Sequence, residues 1–508
     1  MNKKELFINL FSSLLALGVS IIMSFYLTPY ITENVGDEAY GFYSLANKFV
    51  DYSTIITLAL NSMASRFITI KIHQNNILEA NKYFNSVLFS NIIITIILSI
   101  PAIIIIIFQD KWFNISKNIL VDIRILFILV FANAGLSIIC SVFSVATFIK
   151  NKLYLSSLRE IESNVIKVGL LLLLFKFFSI KVSYIGISIV ISNFFICCTN
   201  IYYTKKLLPD IKISKESFDF LAVKELIGLG IWNSITKLSQ ILLDGLDLLI
   251  ASLFIGNNEM GILAIVKIIP SFLATLMSKV MNIFSPKLTE FYAKGKKQEM
   301  IKVIKSANKM QTIILSIPIA FVMGYGKEFF LLWMPNKDAN FLQLLSLISM
   351  FGLTISGSIQ ILYQVFTLTN KVKVNSIVMI ITGILNTIIV LILLNTTNLG
   401  LIAIAGVSTI LAIIRNLTFT PIYASKCLKV NWCTFYPDIF KGVLTIFISL
   451  FLAIISKKIV IIDSWFLLIL VCIITGIIAL IVNCVLNLNK EEKKEIISKV
   501  IMRINIKK

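Results

Sequence analysis

Apolar runs of about 20 residues recur along this chain, separated by short polar connections. Runs of that length predict transmembrane α-helices. The strands of a membrane β-barrel need only about ten residues of alternating pattern. About fourteen spans can be drawn. Their centres fall near Ser20, Ile55, Ile96, Ala134, Leu170, Ile191, Leu242, Ala274, Ser316, Ile355, Leu385, Leu411, Ile448 and Ile474. The connections are too short to hold a large soluble domain. The first run follows Lys3 and Lys4 and extends from Leu6 to Ile31. It is too long for a signal-peptide core and shows no small-residue cleavage site, so it predicts a retained first helix.

Several spans are not uniformly apolar. In the seventh, Asn233, Lys237, Gln240, Asp244 and Asp247 fall within an arc of roughly 80° if each residue turns about 100°. The rest of that helix is mostly Leu, Ile and Ala. The second span repeats the arrangement with Asn47, Asp51, Thr54, Asn61, Ser62 and Ser65, and Lys48 lies at the margin of the stripe. The eighth carries Lys267, Ser271, Thr275, Ser278 and Asn282, and the first a milder stripe of Ser13, Ser20 and Ser24. A charge at the centre of a membrane helix costs about 2.5–3.5 kcal/mol on insertion scales, so charges in register on one face predict a water-accessible wall. Pairing within each bundle is the competing explanation, and Lys48 with Asp51 is one such pair. Glu162 and Lys167 of the fifth span are a second expected pair.

The chain also repeats itself. Gly36 and Gly41 in VGDEAYGFYSLANKF match Gly256 and Gly261 in IGNNEMGILAIVKII, at an offset of about 220 residues. Each block closes the first span of a half and opens the second. Each is followed by a polar-rich helix and a basic loop. The predicted architecture is therefore an all-α polytopic membrane protein with two six-helix lobes in parallel repeat and two further C-terminal helices. The lobes are 1–204 and 226–425, joined by a cytoplasmic linker at 205–225. The last two helices occupy 426–489, and 490–508 is a basic tail. The striped spans are the first two of each lobe, which predicts one cavity between the lobes.

Composition sharpens this picture. Hydrophobic residues make up 57% of the 508 positions and charged residues 14%, beyond what a soluble core absorbs. The net charge of +21 first suggests nucleic acid. Loop placement removes that reading: with the N-terminus inside, about 31 Lys and Arg fall on the cytoplasmic side, about 9 outside and about 7 within spans. Both termini are then cytoplasmic. The loop Ser285–Lys309 is basic, with Leu288, Phe291, Ile301 and Ile304 as apolar points, and predicts an elbow lying on the inner leaflet. The tail repeats the pattern with Ile496, Ile497, Val500, Ile501 and Ile504. The seven cysteines are scattered, and the single His73 lies in a polar loop. Neither predicts a metal site or a disulfide framework.

The glycine blocks, the Ser285-Pro286-Lys287 segment, the six-plus-six repeat and the fourteen spans together resemble the polysaccharide-transporter branch of the MOP superfamily. That branch includes O-antigen, capsule and lipid II flippases. The resemblance covers nearly the whole chain and rests on diffuse motifs. It implies two lobes facing each other, with spans 1, 2, 7 and 8 lining the cavity. It implies an undecaprenyl-pyrophosphate-linked oligosaccharide as substrate, flipped by alternating access in a bacterial cytoplasmic membrane. Polysaccharide polymerase and export machinery are then expected partners, besides the membrane lipids. No cofactor is expected beyond coupling H+ or Na+.

In this reading Lys48, Lys237 and Lys267 meet the anionic head. A lysine in a low-dielectric cavity attracts an anion more strongly than one in water, as a point charge that lets it move on. Asp51, Asp244 and Asp247 serve ion pairing or cation coupling. Asn47, Asn61, Asn233, Gln240, Ser271 and Thr275 line the cavity. The alternatives are a cation-coupled multidrug exporter of the same superfamily, an uncoupled lipid scramblase, and a membrane-embedded glycan polymerase or ligase. The lysines and the appended helix pair weigh against the exporter. The short outer connections, such as Gly326–Asn340, and the lack of a nucleophile–base set weigh against an enzyme.

Overall fold

The computed structural model describes residues 3–150, 152–369 and 371–487. The apolar stripe of the basic tail lies outside the described residues. Every regular element among the described residues is helical. In chain order the first are α1 (Lys3–Val35), α2 (Asp37–His73), α3 (Ile77–Trp112), α4 (Leu120–Cys140), α5 (Val145–Ile149) and α6 (Leu153–Phe177). Then come α7 (Ser183–Leu207), α8 (Phe220–Gln240), α9 (Asp247–Phe254), α10 (Asn257–Val266), α11 (Ile268–Ala293) and α12 (Lys297–Trp333). The last are α13 (Ala339–Ser356), α14 (Leu362–Leu368), α15 (Val372–Thr396), α16 (Leu401–Leu428), α17 (Tyr436–Ile459) and α18 (Trp465–Asn487). All fourteen predicted centres fall on helical segments, so the chain is an all-α polytopic membrane protein. Among the described residues, thirteen helical stretches are long and apolar enough to cross a bilayer. The predicted span outside that set is α6, which carries Arg159, Glu160, Glu162 and Lys167. There Glu162 pairs with Arg159, one turn away, and not with Lys167 as expected.

The chain forms two compact units. The first is Met1–Ile265 with Ser376–Thr387, and the second is Val266–Asn375 with the chain from Ile388 onward. The segment 226–265, which the sequence repeat counts with the second half, therefore packs with the first unit. The two units nevertheless repeat one neighbour pattern. In the first, α2 packs on α3, α3 on α4 and α4 on α7. In the second, α11 packs on α12, α12 on α13 and α13 on α16. Both use the same interhelical bond, an amide reaching a hydroxyl across the helix gap. Asn193 Nδ2 donates to Ser137 Oγ at 2.7 Å, and Asn416 Nδ2 donates to Ser356 Oγ at 2.8 Å. In the second unit α17 and α18 pack on α12. Asn483 Nδ2 reaches Ser316 Oγ at 2.9 Å and Ser449 Oγ at 2.8 Å, fixing that contact through three helices.

The basic elbow departs from expectation. Leu288, Ile301 and Ile304 are buried, and Phe291 packs against them. With Leu362, Phe366 and Phe435 they form a core of the second unit. Their apolar face is taken up by protein and does not lie on a leaflet.

The linker is also more than a tether. Its backbone runs along α3, where Asn81 and Asn85, one turn apart, act as a short polar ladder. Asn81 Nδ2 donates to Asp210 O at 3.0 Å while its Oδ1 accepts from Lys212 N at 2.7 Å. Asn85 Nδ2 donates to Lys212 O at 2.8 Å while its Oδ1 accepts from Ser214 N at 2.9 Å. Ser86 Oγ then accepts from Asp219 N at 2.9 Å. Asp219 pairs with Lys82 and caps α8 by accepting from Leu221 N. The Lys82 ammonium holds the Asp219 carboxyl below its usual range. A depressed carboxylate stabilises above its ordinary pKa, so this contact is present at neutral pH and is lost only as pH falls through the lowered value. Replacing both Asn81 and Asn85 by Ala removes four bonds worth about 0.5–1.5 kcal/mol each. The expected result is rapid protease cleavage between Leu208 and Phe218 in the folded variant, with cleavage unchanged in wild type.

Candidate functional site

The candidate residues of the second and seventh spans lie along one helix seam inside the first unit. Helix α2 runs antiparallel to the span formed by α8, a π turn and α9. Its register is set by four contacts. Asn233 Nδ2 donates to Ser62 Oγ at 3.1 Å. Gly230 packs so closely that a Cβ there would lie 1.8 Å from the Ala59 carbonyl oxygen. Ser234 Oγ donates to the Ile55 carbonyl, and Tyr52 OH donates to Gly245 O at 2.7 Å. Small residues let the backbones approach, and polar side chains then reach carbonyls across the gap. At the far end, Gly41 and Gly261, the repeat-related glycines, meet. A Cβ on Gly41 would lie 3.0 Å from Gly261 N, and one on Gly261 would lie 2.3 Å from Asp37 O.

The middle of the seventh span is not a regular helix. Residues Ile241–Gly245 form a π turn, closed by Leu246 N donating to Ile241 O at 3.1 Å. A π turn holds an extra residue and leaves carbonyls without their usual partners. Within a membrane those groups must be satisfied by protein. Asn386 Nδ2 of α15 donates to Leu243 O at 2.9 Å, and Tyr52 takes Gly245 O. Gly383 permits this approach, since a Cβ there would lie 2.7 Å from Leu242 Cβ.

This turn changes the predicted stripe. One added residue rotates the remainder of the span by about 100°. Asp244 stays exposed, whereas Asp247 is turned inward and is 2% exposed. The five-residue arc expected of a uniform helix therefore ends at Asp244. Lys237 is half-buried and Gln240 is exposed. Both lie between the Ser234 and Gly245 anchors, at the depth of residues 52–55 of α2. One turn further along α2, Lys48 Nζ stands 3.7 Å from Asp51 Oδ2. These side chains are 34% and 50% exposed, so the pair is open to an incoming group.

The other candidates divide by what they touch. Asn47 donates to its own helix at Tyr43 O, 2.8 Å away. Asn61 Oδ1 accepts from Asn91 Nδ2 at 3.1 Å, and Asn233 is held by Ser62. Asn61 and Asn233 thus tie helices together. Lys267, Ser271 and Thr275 belong to the second unit. Lys267 sits at the break between α10 and α11, three residues before Pro270, which has no N–H to continue the helix. Ser271 and Thr275 are exposed and bond their own helix backbone. Tyr52, Ser234, Gly230 and Asn386 did not emerge as site residues from periodicity. Asp244-Gly245 inside an apolar helix and Gly383 in another are the marks they left.

No family model matches the chain. Among curated proteins it is 29% identical over 426 residues to the "Uncharacterized membrane protein EpsK" of Bacillus subtilis (strain 168), covering 82% of this chain and 83% of that protein. Among solved structures it matches "Lipid II flippase MurJ, inward closed conformation" with a TM-score of 0.67 and 16% identity, over 92% of this chain and 97% of the other. It also matches "Inward-facing conformation of a multidrug resistance MATE family transporter of the MOP superfamily" with a TM-score of 0.63 and 13% identity, over 80% and 94% of the two chains. The resemblance to the MOP superfamily thus holds at the level of the fold.

The seam yields two predictions. Tyr52→Phe strands the Gly245 carbonyl and is expected to destabilise the folded state by about 1–3 kcal/mol, read from unfolding in mixed micelles. Gly230→Ala forces α2 away from α8. A disulfide between cysteines placed at Ile55 and Ser234 is expected to form readily with Gly230 present and to be largely lost in Gly230→Ala.

Proposed function

Taking the fold of MOP-superfamily transporters as premise, we propose that this chain flips an undecaprenyl-pyrophosphate-linked oligosaccharide across the cytoplasmic membrane of a bacterium, for cell-surface polysaccharide synthesis. The observation that carries this reading is the half-exposed Lys48–Asp51 pair, set along the α2–α8 seam with further polar side chains. Lys48, Asp51, Lys237, Gln240 and Asp244 fall within roughly two helical turns of one another along it. A pyrophosphate carries the negative charge such lysines attract, and amide and hydroxyl groups match sugar hydroxyls.

The ion pair suggests how the head group is exchanged. With Asp51 as its partner, Lys48 costs less to hold in the membrane than a lone cation. An arriving pyrophosphate displaces Asp51 from Lys48, and the freed carboxylate takes up H+ or Na+. Release of the anion restores the pair. Lys237 adds a second cation, and Lys267 a third by its place in the sequence repeat. Asp247 lies buried beside the π turn. In this scheme the protein holds no resident cofactor and makes no covalent bond to the substrate.

The test is flipping of a labelled lipid-linked oligosaccharide in proteoliposomes, with insertion of each variant checked beforehand. Lys48→Gln, Lys237→Ala and Lys267→Ala are each expected to lower the rate at least about tenfold, the loss of one charge interaction of about 1.4 kcal/mol. Full flipping by all three would remove the anionic head from the account. Unchanged polysaccharide export together with new drug sensitivity in a strain lacking the gene would instead select the multidrug exporter.

A further inference from the structure

The face of α2 opposite the Asp51 stripe borders a groove. Phe49, Ser53 and Ile56 lie roughly 180° from Asp51 at about 100° per residue, and they line a cavity of about 670 Å³ between α2, α3 and α4. The cause lies in α3. Asn91 pins it, donating to Asn61 Oδ1 at 3.1 Å and to Ser141 Oγ at 3.0 Å. Close packing persists at Thr95, whose Cγ2 would lie 2.9 Å from a Cβ on Gly135. Pro101 then interrupts the helix ladder, having no N–H for the carbonyl four residues back. Beyond it Ala102, Ile105 and Ile106 face the cavity and leave it unfilled.

The groove continues. Phe49 and Ile105 also line a second cavity of about 540 Å³, which reaches Lys111, Trp112 and Phe113 at the end of α3. Both volumes lie within the range of about 300–1,000 Å³ typical of ligand pockets. The walls are almost wholly hydrocarbon, so water gains nothing there. The mouth differs. Trp112 is 49% exposed, and Lys111 Nζ stands 5.4 Å above the Phe108 ring. A tryptophan and a lysine at a helix end are membrane-interface anchors, and the ammonium complements a phosphate.

We propose that this groove is a binding site for an anionic glycerophospholipid, with an acyl chain along Phe49, Ile56 and Ile105 and its phosphate at Lys111. The site is separate from the polar face assigned to transport. The bound chain backs the segment of α2 that carries Tyr52, the side chain that satisfies the π turn. Lipid occupancy thereby supports the α2–α8 seam.

Delipidated full-length protein is titrated with phosphatidylglycerol or phosphatidylcholine in defined micelles, and thermal unfolding is followed. Wild type is expected to gain several degrees in Tm with phosphatidylglycerol and clearly less with phosphatidylcholine. Ala102→Trp, which fills the groove, is expected to lose the response to both. Lys111→Gln, at the surface end, is expected to fold normally and to respond equally to the two lipids. Equal stabilisation of wild type by both lipids, or a wild-type preference retained in Lys111→Gln, overturns the proposal. So does stabilisation by undecaprenyl phosphate with no response to phosphatidylglycerol, which would assign the groove to a polyprenyl chain.

Discussion

A carbonyl that leaves its helix inside a bilayer has no water to turn to. Its free energy falls on whatever protein donor can reach it. The π turn at Ile241–Gly245 frees such carbonyls, and much of the first unit is arranged around them. Tyr52 crosses from α2 to take Gly245 O, and Asn386 crosses from α15 to take Leu243 O. Gly230 and Gly383 allow the approach by leaving no Cβ in the way. A local irregularity of five residues thus binds three helices. It also explains why Ser376–Thr387, distant in sequence, joins the first unit.

The same turn sorts the ionisable side chains. Before it, Lys237 and Gln240 keep the face predicted by a regular helix. After it, Asp247 is carried into the interior while Asp244 stays outside. Polar residues in these spans therefore do two kinds of work. Asn61, Asn91, Asn233 and Ser234 bond side chains or backbone of neighbouring helices and hold the helices in register. Lys48 and Asp51 form a half-exposed pair whose members can exchange partners. The rigid seam holds the exposed charged pair at a fixed depth along α2.

Much of this was legible in the sequence. Apolar run length placed the spans, because hydrocarbon thickness fixes how many residues must be apolar; α6, with its charged residues, is the predicted span that falls short of it. The two units share a neighbour pattern, with equivalent bonds Asn193–Ser137 and Asn416–Ser356, whereas the matching glycine pairs Gly36/Gly41 and Gly256/Gly261 both lie in the first unit. Periodicity failed where it assumed a uniform 100° step, and Asp247 is the residue it misplaced. It also failed where an apolar stripe has two possible solvents. Leu288, Ile301 and Ile304 read equally well as lipid-facing or protein-facing, and the core around Phe366 and Phe435 decided the matter. The linker looked like a basic tether because Asn81 and Asn85 recognise its backbone, and backbone recognition leaves no signature in the linker's own side chains.

The central claim is that this seam recognises a charged head group. The most direct measurement compares binding of undecaprenyl pyrophosphate with that of uncharged undecaprenol to the full-length protein in nanodiscs of neutral lipid, in wild type and in Lys48→Gln. The account predicts that wild type prefers the pyrophosphate by at least about tenfold, the equivalent of about 1.4 kcal/mol, and that the preference falls in the variant. Equal affinity of wild type for the two lipids would contradict it.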